Sequence, residues 1–265
     1  MRRSEWRFIL TGKLDGPTNM AIDEFLFLES AKRKYNGNLR FYFWNKPTIS
    51  LGYFQNLNEI IDLDKCKKLG IDIVRRITGG GAIYHNDEIT YSITTFLPNP
   101  TISTDIDMSY KILESFLIEG ISELGISVKY RDICFNQYDN FYCFANPSKY
   151  DIVFNGKKLV GSAQRRSKKS FLQHGSILIS INDVDKMFSV FKDFYNKEDL
   201  IKEFKEKVTS LEELLKGKIK ININQIIDIF VKKFKEQFDV DLNQYDFTDS
   251  EKEMIQKLRE KYVVH

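Results

Sequence analysis

An α+β fold, with a largely antiparallel mixed sheet flanked by helices, is predicted from three observations. Strand-like runs are joined by hairpin signals rather than by regular βαβ units, helical patterning dominates from Asp183 onward, and 42% hydrophobic content over 265 residues can fill a sizeable core. The expected organisation is one catalytic-size domain over residues 1–265, with residues 183–262 a helical part packed on it.

Taken in order, Trp6 to Leu10 reads as a strand, and Asn19 to about Lys34 as a helix capped by Thr18 or Asn19. Leu39 to Trp44 and Thr48 to Tyr53 are strands rich in aromatic and β-branched residues, split by a turn at Asn45-Lys46-Pro47. Leu57 to Leu69 reads as a helix stopped by Gly70, and Ile71 to Arg75 as a strand. Ile89 to Phe96 alternates as a strand ended by Pro98 and Pro100, and Met108 to Leu124 is a helix with Ile112, Phe116, Ile121 and Leu124 near the 3.6 period. Beyond the central hairpins the helices are Val184 to Phe191, Lys197 to Lys205, Ser210 to Leu215, Asn224 to Phe238 and Ser250 to Tyr262. Capping-box spacing occurs at Ser210/Glu213 and Thr248/Glu251.

Composition excludes several classes. Forty basic against 37 acidic residues leave a net charge of +3, too small for a nucleic-acid field, although Arg165, Arg166, Lys168 and Lys169 form a local basic cluster. Three cysteines, Cys66, Cys134 and Cys143, without CxxC spacing suit neither a disulfide framework nor a zinc site, so no metal is expected and a reducing cytoplasm is the expected setting. No apolar stretch reads as an export signal or a bilayer span, so neither membrane nor nucleic acid is an expected partner.

The residues able to carry chemistry concentrate between Phe141 and Ile179. Asn155-Gly156 between two β-rich runs predicts a two-residue hairpin, because both turn positions need positive φ. That register pairs Phe154 with Lys157 and Val153 with Lys158, and makes Asp151 a diagonal neighbour of Lys158. Gly161, Ser162 and Ala163 remove bulk beyond it, so a ligand can approach the backbone. An ammonium fixed beside Cys143 favours the thiolate, the nucleophilic form. Each residue alone has an ordinary structural explanation, a buried thiol, an edge lysine or a packing histidine; their convergence on one hairpin is the signal.

A second motif runs from Arg75 and Arg76 through Gly79, Gly80 and Gly81 to His85. Three glycines let an extended ligand lie against backbone amides with arginine charge at its edge, and the pattern is neither a dinucleotide fingerprint nor a phosphate-binding nucleotide loop.

The segments RRITGGGAIYH, KLVGSAQRR and LQHGSILI, in that order and spacing from Arg75 to Ile179, resemble the biotin/lipoate protein ligase superfamily, and the similarity extends from Trp6 to about Tyr262. The run after His85 together with CFANPSKYDI further resembles the octanoyltransferase members of that superfamily. The resemblance implies transfer of octanoate from octanoyl-acyl carrier protein to a lysine of a lipoyl-carrier protein, the glycine cleavage H protein, through an acyl-cysteine. On it, Cys143 is the acyl-thioester nucleophile and Lys158 the residue that lowers its pKa. The substrate pocket falls to Arg75, Arg76, Gly79, Gly80, Gly81, His85, Gly161, Ser162, Ala163, Gln164, His174 and Gly175. A thioester donor is already activated, so no cofactor is expected. The alternatives are an ATP-dependent lipoate-protein ligase, distinguished by a need for ATP and Mg²⁺, and a non-catalytic protein of the same fold.

Overall fold

The computed structural model describes residues 4–131, 148–192, 197–216 and 222–263. The chain begins with β1 (Ser4–Leu14), α1 (Gly16–Ser30), β2 (Gly37–Trp44), β3 (Thr48–Leu51), α2 (Leu57–Ile60), α3 (Leu63–Leu69) and β4 (Asp72–Arg75). It continues with β5 (Ile83–His85), β6 (Glu88–Phe96), α4 (Ile106–Glu123), β7 (Lys129–Tyr130), β8 (Ile152–Phe154), β9 (Lys157–Arg166) and β10 (Ser170–Leu178). The C-terminal part comprises α5 (Val184–Ser189), α6 (Lys197–Lys207), α7 (Leu211–Leu215), α8 (Ile223–Phe238), β11 (Val240–Gln244) and α9 (Asp249–Glu260).

Among the described residues, the main sheet runs β11-β1-β2-β6-β10-β9-β8-β7, and β4-β3-β5 form a smaller sheet beside it. Only β11–β1 and β1–β2 pair in parallel within the main sheet, so it is mixed and largely antiparallel. Strand alternation assigns its two faces. Leu39 and Phe41 of β2, Ile89, Tyr91 and Ile93 of β6, and Phe171 and Ile177 of β10 face α4 and α8, where Phe41 stacks on Phe230 and Phe116 meets Phe234 edge-on.

The opposite face is polar where it meets α1. Arg40 is fully buried, donating to Asp23 Oδ1 at 2.8 Å, Asn19 Oδ1 at 2.7 Å and Thr11 Oγ1 at 3.0 Å, with Tyr42 under its guanidinium. This clamp fixes α1 on the sheet and aims Asp23 at β10, on the far side of β6 from β2, where it meets His174.

Several boundaries differ from the sequence reading, each for a local reason. α1 starts at Gly16 because Asp15 rather than Thr18 or Asn19 is its cap, accepting from Thr18 N at 2.8 Å with Pro17 in the first turn. Residues 57–69 form two helices because Ile61 leaves helical geometry to bridge Phe191, and Asp62 caps the second; Gly70, at φ +65°, ends it as expected. β3 stops at Leu51 and joins the small sheet rather than continuing beside β2. The core face of α4 is carried by Leu113, Phe116, Leu117 and Ile121, while Ile112 and Leu124 are half-buried. The region after Asp183 is not wholly helical: Val240 to Gln244 add to the β1 edge as a parallel strand, too short and polar to register as one in sequence. The Thr248/Glu251 capping box is present, and Ser210 caps α7.

Candidate functional site

A cavity of about 440 Å³ opens where the small sheet meets the main one. Gly79 to Gly81 form one wall, Lys158 and Gly161 to Gln164 of β9 the facing wall, His174 to Ser176 of β10 the floor; Tyr42, Trp44, Ser50 and His85 close the inner end. Its size suits a small-molecule or acyl-chain site.

The central hairpin folds as its turn dictates. Asn155 and Gly156 adopt φ +48° and +81°, and Phe154 pairs with Lys157 and Val153 with Lys158. A register shift between Ile152 and Val153 then lets Asp151 reach the lysine: Lys158 Nζ lies 2.8 Å from Asp151 Oδ1, with both side chains almost fully buried. The other carboxylate oxygen accepts from Ser148 N at 2.8 Å and has Arg131 Nε at 3.5 Å. The pair is therefore held in the cavity wall by backbone as well as charge. Cys134 and Cys143 lie outside the described residues. Cys66 is buried in the small-sheet core, and burial pushes its thiol up to about 11, which makes it inert at neutral pH.

Arg76 acts as the internal brace of the glycine loop. It donates through Nη2 to Gly79 O at 2.7 Å and Gly81 O at 2.8 Å, through Nη1 to Ser50 O and Oγ, and through Nε to Thr78 Oγ1. Arg75 does not line the cavity; its Nη1 is committed to the carbonyls of Gly52, Tyr53 and Gln55. Arg75 therefore shapes the neighbouring loop rather than lining the cavity, whereas Arg76 both braces the glycine loop and lines the cavity. Gly52 presses against the glycine loop so closely that an added Cβ would lie 1.8 Å from Gly80 O. Gly52→Ala is accordingly expected to cost about 1–3 kcal/mol in a urea titration, and to weaken ligand binding by displacing the loop.

Both cavity histidines are wired to carboxylates. His174 Nδ1 is 3.0 Å from Asp23 Oδ2 and its Nε2 2.7 Å from Thr78 Oγ1. Burial outweighs Asp23 and, with Arg76 and His85 nearby, holds His174 below the ordinary histidine range. His85 Nδ1 is 2.9 Å from Glu88 Oε1, and its Nε2 2.7 Å from Ser50 Oγ, with the ring stacked on Trp44 at 4.1 Å. Burial alone would raise Glu88, yet His85 and the hydroxyls of Thr90 and Ser176 hold it below the usual carboxylate range.

Behind the β9 wall, Glu114 of α4 is fully buried beside Tyr91 OH at 3.3 Å and Gln173 Nε2 at 3.1 Å. Burial, with the Asp151 carboxylate adding to it, raises this carboxyl to about 8 against the opposing pull of Ser162, Tyr91 and Lys158. The folded state thus binds a proton that the unfolded chain releases near its ordinary value of 4.5, and stability falls as pH rises from 4.5 to about 8. Glu114→Gln is expected to flatten that slope, leaving stability little changed near pH 4.5 and raising it by a few kcal/mol at pH 8, as read by thermal melts across the window.

Of the sequence-derived residues, the structure brings Arg76, Gly79, Gly80, Gly81, His85, Lys158, Gly161, Ser162, Ala163, Gln164, His174 and Gly175 to this one cavity. Sequence reasoning missed Ser50, Trp44, Glu88, Asp23 and Glu114. The first three sit one per strand, where a strand pattern carries no sign of a site role; the two acids lie on helices, where alternation with apolar neighbours gives no sign of their burial.

The lipoyl protein ligase A/B catalytic domain model matches residues 15–235. A protein named octanoyltransferase LipM from Clostridioides difficile is 38% identical over 98% of this chain and 96% of its own. Its namesake from Moorella thermoacetica is 39% identical over 99% and 97%. Among solved structures, the bipartite lipoate protein ligase of Thermoplasma acidophilum superposes with TM-score 0.77 at 23% identity, covering 97% of this chain and 93% of that one. A lipoate-protein ligase A bound with ATP gives TM-score 0.76 at 24% identity over 97% and 95%; these two likenesses establish the fold. Identity across the full length of the LipM proteins, on that shared fold, makes the chain a member of the lipoyl protein ligase A/B catalytic domain family and an acyltransferase of its octanoyltransferase group.

Proposed function

We propose that this protein transfers an octanoyl group from octanoyl-acyl carrier protein to a lysine of a lipoyl-carrier protein, the glycine cleavage H protein, through a thioester on Cys143. The observation that carries this reading is the Lys158–Asp151 pair at 2.8 Å, a charged ammonium built into the wall of the cavity. Cys143 precedes Asp151 by eight residues in the sequence. Cys143 thiolate attacks the donor thioester and releases the carrier's thiol; the acceptor ε-amine then attacks the acyl-enzyme to give an amide. Lys158 holds the thiol ionised, and Asp151 holds Lys158 in place. The Gly161–Ala163 backbone lines the cavity and supports a role in receiving the oxyanion, since among the described residues β8 pairs with β9 no further than Val160. The alkyl chain lies against the glycine loop.

A donor that is already a thioester needs no nucleotide. Incubation with octanoyl-acyl carrier protein and acceptor, without ATP or Mg²⁺, is expected to modify the acceptor lysine. Modification that appears only with free octanoate or lipoate plus ATP would assign a ligase instead.

A further inference from the structure

Two relays of matching design meet at Arg76. Its Nη1 donates to Ser50 Oγ at 3.1 Å and its Nε to Thr78 Oγ1 at 3.1 Å. Each hydroxyl lies 2.7 Å from the Nε2 of a histidine, His85 or His174, and each histidine presents Nδ1 to a carboxylate, Glu88 or Asp23. Arginine only donates and an ionised carboxylate only accepts, so Nδ1 carries the hydrogen in both rings and Nε2 accepts from the hydroxyl.

The relays differ in where charge is already balanced. Asp23 is paired with buried Arg40 at 2.8 Å and also accepts from Tyr42 and Ser92. A second cation at His174 has Arg76 against it and little uncompensated charge to meet. Glu88 accepts from Trp44, Thr90 and Ser176, all neutral, and its buried Oε2 has no hydrogen-bond partner among the described residues. Among the described residues, the groups beside His85 include Glu88 from β6, Ser50 from β3, Ser176 and His174 from β10 and Trp44 from β2, with Arg76 one step behind, donating to Ser50. A proton on its imidazole would be met by Glu88 and by the stacked Trp44 face. Ser50 also lines the cavity, and Thr78 does not.

We infer that His85, relayed through Ser50, accepts the proton of the incoming lysine in the amide-forming step. The inference rests on the proposed octanoyl transfer and adds the base that it lacks. The acceptor ammonium gives one proton through Ser50 Oγ to His85 Nε2, and the freed lone pair attacks the thioester carbonyl. On collapse the C–S bond breaks, the second nitrogen proton leaves with the sulfur as thiol, and His85 returns its proton to solvent. Atoms and charge balance: ammonium, thioester and imidazole become amide, thiol and imidazolium.

The test is single-turnover deacylation of isolated octanoyl-enzyme by the acceptor protein between pH 5 and 9. Wild type should show an acid limb that falls tenfold per pH unit and a plateau above it, because the base takes its proton from the abundant ammonium. His85→Asn should be about 10²–10⁴-fold slower at pH 7 and lose the plateau, rising tenfold per unit as free amine becomes available, with deacylation slowed far more than acylation by the donor. His174→Asn should keep the limb and plateau whatever its rate. A plateau retained in His85→Asn, or equal slowing of acylation and deacylation, would overturn the inference. If His85→Asn does not fold, Glu88→Gln decides: the limb should move to lower pH, and an unmoved limb overturns the proposal. If no octanoyl-enzyme forms at all, it is the acyl-cysteine reading that fails.

Discussion

Cys143→Ser is expected to lower octanoyl transfer by at least about 10³-fold, whereas Cys66→Ser and Cys134→Ser should retain it. The asymmetry follows from nucleophilicity. A serine hydroxyl in a site arranged to ionise a thiol has no base matched to its much higher pKa. Cys66 can be dispensed with because its thiol, raised to about 11 by burial among the small-sheet residues, is not ionised near neutrality. The comparison is made by following acceptor modification by mass in all three variants. Loss on Cys66→Ser or Cys134→Ser with Cys143→Ser active would move the nucleophile elsewhere.

Lys158→Ala should produce the second large effect, on two separate readouts. Removing the ammonium leaves Asp151 buried, among the described residues, with Ser148 N and the more distant Arg131, and breaking a buried pair from one side costs about 3–5 kcal/mol. In parallel, iodoacetamide reaction of the Cys143 thiol, expected to titrate below the free value of about 8.5, should titrate higher, and acylation should slow. Lys158→Arg should restore part of the thiolate population but fit the wall poorly, because guanidinium is larger and forked. The double variant Lys158→Met, Asp151→Asn separates the effects, recovering stability without recovering the low-pH thiolate. An unchanged thiol titration in Lys158→Ala with transfer lost would mean that Lys158 holds an acyl carbonyl or phosphate, as a ligase would require.

What the sequence made legible was what local chemistry dictates. Asn155-Gly156 admits essentially one turn, that turn fixes the Lys158 register, and register plus one irregularity delivers Asp151. The glycine triplet likewise announced a wall without side chains. What stayed hidden was long-range. Arg76 reads as a cation beside glycines and does line the cavity, but its second role, bracing the loop through Ser50, Thr78, Gly79 and Gly81, exists only once β3 lies against the loop. Glu114 sits on α4 as an ordinary helical glutamate, and only the packing of α4 on β6 and β10 turns it into a buried acid. β11 escaped notice because a five-residue polar strand takes its stability from the β1 edge rather than from its own pattern.

The central claim is that the acyl group rests on one cysteine between donor and acceptor. Intact-mass measurement of the protein after incubation with octanoyl-acyl carrier protein alone addresses donor, covalency and position together. A single octanoyl increment, removed by hydroxylamine, mapping to Cys143 and absent in Cys143→Ser, is the result expected. An unmodified protein that still transfers octanoate to its acceptor, or an adduct on Cys66 or Cys134, would contradict it.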